Sequence, residues 1–198
     1  MNRVILASAS QTRLKMLRDA GLEVEAVPSG LNEDQIKIFC RANHRTADET
    51  AEALALGKAE QLTEDYPNDF IIGADQMLEC DGRWFDKPAD REDAIWQLRM
   101  LRGRPHRLIS AAVMMDYGGV LWQHTDEAIL TMRDFSDDFL TNYLDGAGEA
   151  VLASVGGYQL EGLGAQLFEK VEGDYFTILG LPLLPLLDAL RRQGALRK

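Results

Sequence analysis

Two long extended stretches, His106 to Tyr117 and Val120 to Arg133, meet at Gly118-Gly119 in the middle of the chain. A pair of strands of this length, joined at two glycines, places a sheet at the centre of any fold the chain adopts. Ahead of that pair, short apolar runs alternate with helical patterns. Arg3 to Ala7 reads as a buried strand, Thr12 to Ala20 as a helix stopped at Gly21, and Glu23 to Val27 as a second strand. This order predicts an α/β chain with a mixed sheet rather than a pure doubly wound one. No linker rich in Pro and Ser divides it, so a single domain over residues 1–198 is expected.

The clearest helix runs from Thr46 to Leu62, where Ala51, Leu54, Ala55, Ala59 and Leu62 form one apolar stripe. Lys58 stands inside that stripe. A lysine on a core-facing line is costly unless its ammonium reaches water or an anion, so Lys58 either snorkels outward or points into a ligand site. Asp69 to Ala74 reads as a short strand ending at Asp75. Met77 to Glu79 and Arg83 to Phe85 read as a hairpin about Asp81-Gly82. Asp90 and Ser136 are suited to cap helices running to about Arg102 and Leu144, and Pro182 to Arg192 is a last amphipathic helix. The segment Ile38 to Arg45 matches no element.

Composition narrows the function classes. A formal net charge of −11 opposes a broad nucleic-acid interface, which needs a basic stripe, and leaves room for a small phosphorylated ligand held by a few local cations. The two cysteines, Cys40 and Cys80, form no C-x-x-C pair. The start, Met1 to Ala7, is too short an apolar run for a signal peptide. The richest later run, Ile178 to Leu187, is broken by Gly180, Pro182 and Pro185, so neither export nor membrane insertion is expected and the cytoplasm is.

Four segments can carry chemistry. Ser8-Ala-Ser10-Gln-Thr-Arg13 lies between a strand and a helix. It is either an N-cap alone or an anion site built from backbone N–H groups, hydroxyls and the Arg13 fork. Gly73-Ala-Asp75-Gln76 puts a carboxylate at the end of a buried strand, as a turn residue or as a metal ligand and general base. In Asp86-Lys87-Pro88, Pro88 holds Lys87 extended, toward solvent or toward a phosphate. Gly156 to Gly164, with Glu161, is a glycine-rich loop of structural or ligand-approaching use. There is no Walker loop, no dinucleotide fingerprint, no zinc spacing around His44, His106 or His124, and no serine-hydrolase elbow.

Taken in order, Leu6-Ala-Ser-Ala-Ser10 with Arg13, Gly73-Ala-Asp-Gln76, Asp86-Lys-Pro88, Gly156-Gly-Tyr158 with Glu161-Gly-Leu-Gly-Ala165, Glu172-Gly-Asp174 and Gly180-Leu-Pro-Leu183 resemble the Maf family along nearly the whole chain. The resemblance implies a fold like that of the inosine-triphosphate pyrophosphatases: a curved mixed sheet flanked by helices, in two lobes with a central cleft. It implies hydrolysis of the α–β phosphoanhydride of a nucleoside triphosphate, assisted by Mg2+ or a similar divalent cation, in many members by a homodimer. By position, Ser8, Ser10 and Arg13 would hold the triphosphate, Lys58 and Lys87 would neutralise it, Asp75 would be the catalytic carboxylate, and Glu33 would join Asp75 at the metal.

The family's Pro-Arg after the second serine is Gln11-Thr12 here, its commoner Thr after the catalytic aspartate is Gln76, and its commoner Gln in the glycine loop is Glu161. Gln76 with Glu161 is similar to the branch acting on 7-methyl-GTP. A carboxylate accepts from the N1–H and amino group of guanine, which uracil does not offer in that arrangement. A second expectation from the family is a nucleotide-binding regulatory protein linked to septum formation, with little catalysis; Asp75, Lys58 and Lys87 argue for the enzyme.

Overall fold

The structure is a computed structural model that describes residues 3–197; Met1, Asn2 and Lys198, the ends of the expected domain, lie outside the described residues. The elements in order are β1 (Val4–Leu6), α1 (Gln11–Asp19), β2 (Val24–Ala26), α2 (Glu33–Ala42), α3 (Ala47–Glu60), β3 (Phe70–Cys80), β4 (Arg83–Phe85) and α4 (Arg91–Leu101). There follow β5 (Pro105–Asp116), β6 (Gly119–Met132), α5 (Asp137–Ala147), three short 3-10 turns, β7 (Phe168–Glu172), α6 (Tyr175–Ile178) and α7 (Leu183–Arg192). Seven strands form one sheet in the order β2-β1-β3-β5-β6-β7, with β4 paired to β3. β1 is parallel to β2 and β3, while β3 with β4 and β6 with β7 are antiparallel, so the sheet is mixed as expected. No helix of the described residues is long and apolar enough to cross a membrane.

The chain divides into two compact units, with three of the four cuts falling inside β3, β5 and β6 and the fourth just before α6. The first holds the residues through Gln76, then Ile109–Asp126, then those from Tyr175 onward; the second holds Met77–Leu108 and Glu127–Asp174.

In the first unit β1 is buried on both sides, which its unbroken Val-Ile-Leu run requires. Leu14 and Leu17 of α1 and Leu186 and Leu190 of α7 pack with Leu6, Ile72 and Met114 in one apolar core. A full capping box starts α3: Glu49 N donates to Thr46 Oγ1 at 3.1 Å, and Thr46 N donates to Glu49 Oε2 at 2.9 Å. Gly73 lets α3 lie directly on β3. A Cβ there would overlap the Ala55 carbonyl oxygen and stand 2.9 Å from Ala59 N. Two expectations change. β3 runs straight through Asp75 to Cys80 instead of ending there. Most of the unplaced segment Ile38 to Arg45 belongs to α2, which Asn32 caps by accepting from Gln35 N at 3.2 Å.

In the second unit the predicted hairpin closes at Asp81 (φ 51°) and Gly82 (φ 76°), with Cys80 opposite Arg83. Asp90 and Ser136 cap α4 and α5 as expected. Gly156 and Gly157 are buried at φ 74°, and a Cβ on Gly156 would stand 2.6 Å from Leu78 Cδ1, so these two glycines serve packing. β7 was not expected. It is a charged, mostly exposed strand beside β6.

Candidate active site

The first unit gathers most of the residues singled out above. β1 delivers the chain to Ser8, and the turn Ser8–Ser10 leads into α1. Ser10 N donates to Ser8 Oγ at 3.1 Å, and Arg13 N donates to Ser10 Oγ at 3.3 Å. Ser10 thus caps α1, and the N-terminus of a nine-residue helix is presented at the end of a parallel strand. Arg13 points inward and is buried. Its Nε donates to the Gly180 carbonyl at 2.7 Å and its Nη1 to Ser8 Oγ at 3.4 Å.

Close by in charge terms stands an ion cluster built by α3, β3 and α2. Lys58 Nζ lies 2.5 Å from Asp75 Oδ1 and 2.8 Å from Glu33 Oε1. The side chains of Lys58 and Asp75 are only 9% and 8% exposed, so Lys58 does not snorkel to the surface; its ammonium is satisfied by anions within. The close approach that Gly73 allows is what brings the two together. Removing Lys58 would leave Asp75 buried and uncompensated, a loss of about 3–5 kcal/mol, whereas removing Asp75 leaves Lys58 its contact to Glu33.

The field is shared across the cluster. Burial lowers Arg13 from its ordinary range, against upward pulls from Asp75 and Glu33. Burial, the largest single influence on Glu33, pushes its carboxyl up. Lys58, by charge and hydrogen bond, with Lys37 and Arg13, outweighs that and leaves it below the usual carboxylate range. β1 pairs with β3 only as far as Leu6 opposite Ile72, so Asp75 still stands just past the end of the parallel pair even though its strand continues.

Gln76, the residue after Asp75, turns its amide nitrogen toward protein groups. Its amide nitrogen lies 3.1 Å from the Thr177 carbonyl, 3.0 Å from the Ile178 carbonyl and 3.1 Å from Ser110 Oγ. Sequence reasoning gave no role to Ser110, Thr177 or Gly180. Gly180 was legible only as part of a motif, and the two buried hydroxyls sit in stretches with no local signal. Lys87 and Glu161 belong to the second unit, and both are exposed there, beside the buried Pro88 and at the tip of the glycine segment. A separate cavity of ≈750 Å³ in the first unit lies between α2 and α3, lined by Leu31, Ile36, Phe39 and Leu56 with Arg45 and Glu49; none of the expected site residues lines it.

The pattern of the family described as Maf-like protein matches residues 3–193. The chain belongs to the Maf family. Among its relatives, a protein of Paramagnetospirillum magneticum named nucleoside triphosphate pyrophosphatase is 53% identical, over 97% of this chain and 99% of its own. One of Rhizobium etli named 7-methyl-GTP pyrophosphatase is 46% identical, over 98% of each. Among solved structures the Maf chain is similar to a nucleoside-triphosphatase, dITP/XTP pyrophosphatase, of Mycobacterium abscessus, at 15% identity and a TM-score of 0.43 over 98% of this chain and 94% of that one.

A divalent cation fits the donors present in one specific way. Among the described residues no group of three or more His, Cys, Asp or Glu is arranged to cage a metal. Two carboxylates, Asp75 and Glu33, do converge, each giving one oxygen to the Lys58 ammonium. That donor set suits Mg2+, which is held by one or two carboxylates together with substrate phosphates.

Proposed function

We propose that this Maf protein is a nucleoside triphosphate pyrophosphatase, hydrolysing the α–β phosphoanhydride to the monophosphate and pyrophosphate. The observation that carries the reading is the buried Lys58–Asp75 pair, with half-buried Glu33 on the same ammonium and Arg13 and the α1 N-terminus in the same unit. Family membership and the names of near-identical-length relatives supply the substrate class.

In this reading Ser8, Ser10 and the first N–H groups of α1 hold phosphate oxygens, and Arg13 and Lys58 offset their charge. Asp75 takes the proton of a water whose oxygen bonds to the α-phosphorus, while the bond from that phosphorus to the bridging oxygen breaks and pyrophosphate leaves. Lys58 occupies one oxygen of Asp75, Oδ1, which orients the other toward that water. Asp75 and Glu33 would hold the divalent cation, whose chemistry is neutralisation of the charge developing on the phosphates. On the family pattern Lys87 adds a further cation and Glu161 accepts from a purine base. The test is a panel of 7-methyl-guanosine, inosine, guanosine, thymidine and uridine triphosphates with Mg2+. Equal amounts of monophosphate and pyrophosphate are expected, 7-methyl-GTP being turned over faster than the pyrimidines. Release of orthophosphate, or no cleavage of any member, contradicts the reading.

A further inference from the structure

We infer that Gln76, Ser110 and the Gly180 turn form a positioning device that aims the Arg13 guanidinium; this rests on the phosphate role proposed for Arg13. An arginine side chain has several free torsions, and using it to grip a phosphate costs the entropy of fixing them. Arg13 is fixed in advance. Its Nε donates to the Gly180 carbonyl at 2.7 Å and its Nη1 to Ser8 Oγ at 3.4 Å, both among buried groups.

The Gly180 carbonyl is itself held by a helix end. Gly180 follows α6 with φ +97°. Leu181 N donates to the Phe176 carbonyl at 3.1 Å and Gly180 N to the Thr177 carbonyl at 3.0 Å, the two bonds of a Schellman cap. A Cβ at Gly180 would stand 3.3 Å from Arg13 Nη2 and 3.4 Å from its Nε. Glycine is thus required both by the hand of the turn and by the nearness of the guanidinium.

A helix of one turn does not hold itself in place. Three side chains hold α6. Gln76 Nε2 reaches the Thr177 and Ile178 carbonyls at 3.1 and 3.0 Å, groups that a helix end leaves without intrahelical donors. Ser110 Oγ donates to the Thr177 carbonyl at 2.8 Å, and Thr177 Oγ1 donates to Asp126 Oδ2 at 2.7 Å. Successive residues of a strand face opposite sides. On β3, Asp75 meets Lys58 of α3 while its neighbour Gln76 meets α6. One strand therefore sets the acid directly and the arginine through the α6 turn, and the donor end of Gln76 is committed to protein carbonyls rather than to a base.

A double-mutant cycle tests this on the full chain. Binding of inorganic pyrophosphate is measured by calorimetry for the wild type, Gln76→Met, Arg13→Ala and the double variant, alongside KM and kcat for guanosine and uridine triphosphates. Loss of the amide donor is expected to weaken pyrophosphate binding and raise KM by about 5- to 10-fold, equally for both nucleotides. In the Arg13→Ala background the same change is expected to cost less than about twofold, because the group it aims is gone. An undiminished factor in that background, a factor that differs between the two bases, or no effect in the wild-type background overturns the inference. Should Gln76→Met fail to fold, Ser110→Ala runs the same cycle with an expected effect of about threefold. A wild-type chain that binds pyrophosphate but cleaves no nucleotide sinks the proposed activity and leaves this cycle readable.

Discussion

Lys58 shows what a single residue can disclose before any coordinates exist. Its place on an apolar helical stripe announced a conflict between burial and charge, and the conflict is resolved by Asp75 and Glu33 at 2.5 and 2.8 Å. Asp75 was legible for the same reason, a carboxylate closing an apolar run. The partners of Gln76 were not, because a neutral amide bonding to distant backbone carbonyls leaves no mark on local pattern. His106 is a further residue whose surroundings the sequence concealed. It is buried in the second unit, its Nε2 is 2.7 Å from the Tyr158 hydroxyl, and burial lowers its pKa to about 4, against a weaker upward pull from the Arg104 backbone. A folded-state value below the ordinary 6.5 means the unfolded chain takes the proton first as pH falls. The stability that neutral His106 contributes is whole above about pH 6.5 and is lost between there and pH 4. Denaturant unfolding at pH 7 and pH 4.5 is expected to show the wild type losing about 2–3 kcal/mol more than His106→Gln over that interval. Equal losses in the two proteins would contradict it.

Elements with strong local signals were read well. The capped helices α3, α4 and α5, the Asp81-Gly82 hairpin and the β5–β6 pair all stand close to where pattern put them. The two that were missed, α2 and β7, share a physical cause: little of their surface is buried. In α2 only Cys40 is buried and Ile38 and Phe39 are exposed, although Asn32 followed by Glu33-Asp34 is a usable start signal. β7 is an edge strand rich in charge, the composition that guards an edge and hides it from hydrophobic periodicity. The contact of α3 with β3 depends on Gly73. Gly73→Ala is expected to cost about 3 kcal/mol or more, since a Cβ would meet backbone on both sides of the Ala55–Ala59 turn. For a chain of this size that is a fall in Tm of roughly 6–12 °C, with loss of activity as Lys58 and Asp75 part. An unchanged Tm would show that the helix has room to withdraw.

At the scale of the whole molecule, the mixed α/β class followed from element order alone, and membership of the Maf family followed from motifs too weak to persuade singly and specific in sequence. The partition into two compact units was harder to see, because three of the four cuts fall inside strands instead of at a linker. The account depends on Asp75 being the group that activates water within a site able to bind without it. Asp75→Asn keeps the shape of the side chain and removes its charge, while Lys58 keeps its contact to Glu33 at 2.8 Å. Pyrophosphate release from the best triphosphate is expected to fall by roughly 10²- to 10⁴-fold in kcat, with nucleotide affinity within about threefold of the wild type. A variant that releases pyrophosphate at the wild-type rate would remove Asp75 from the chemistry and contradict the account at its centre.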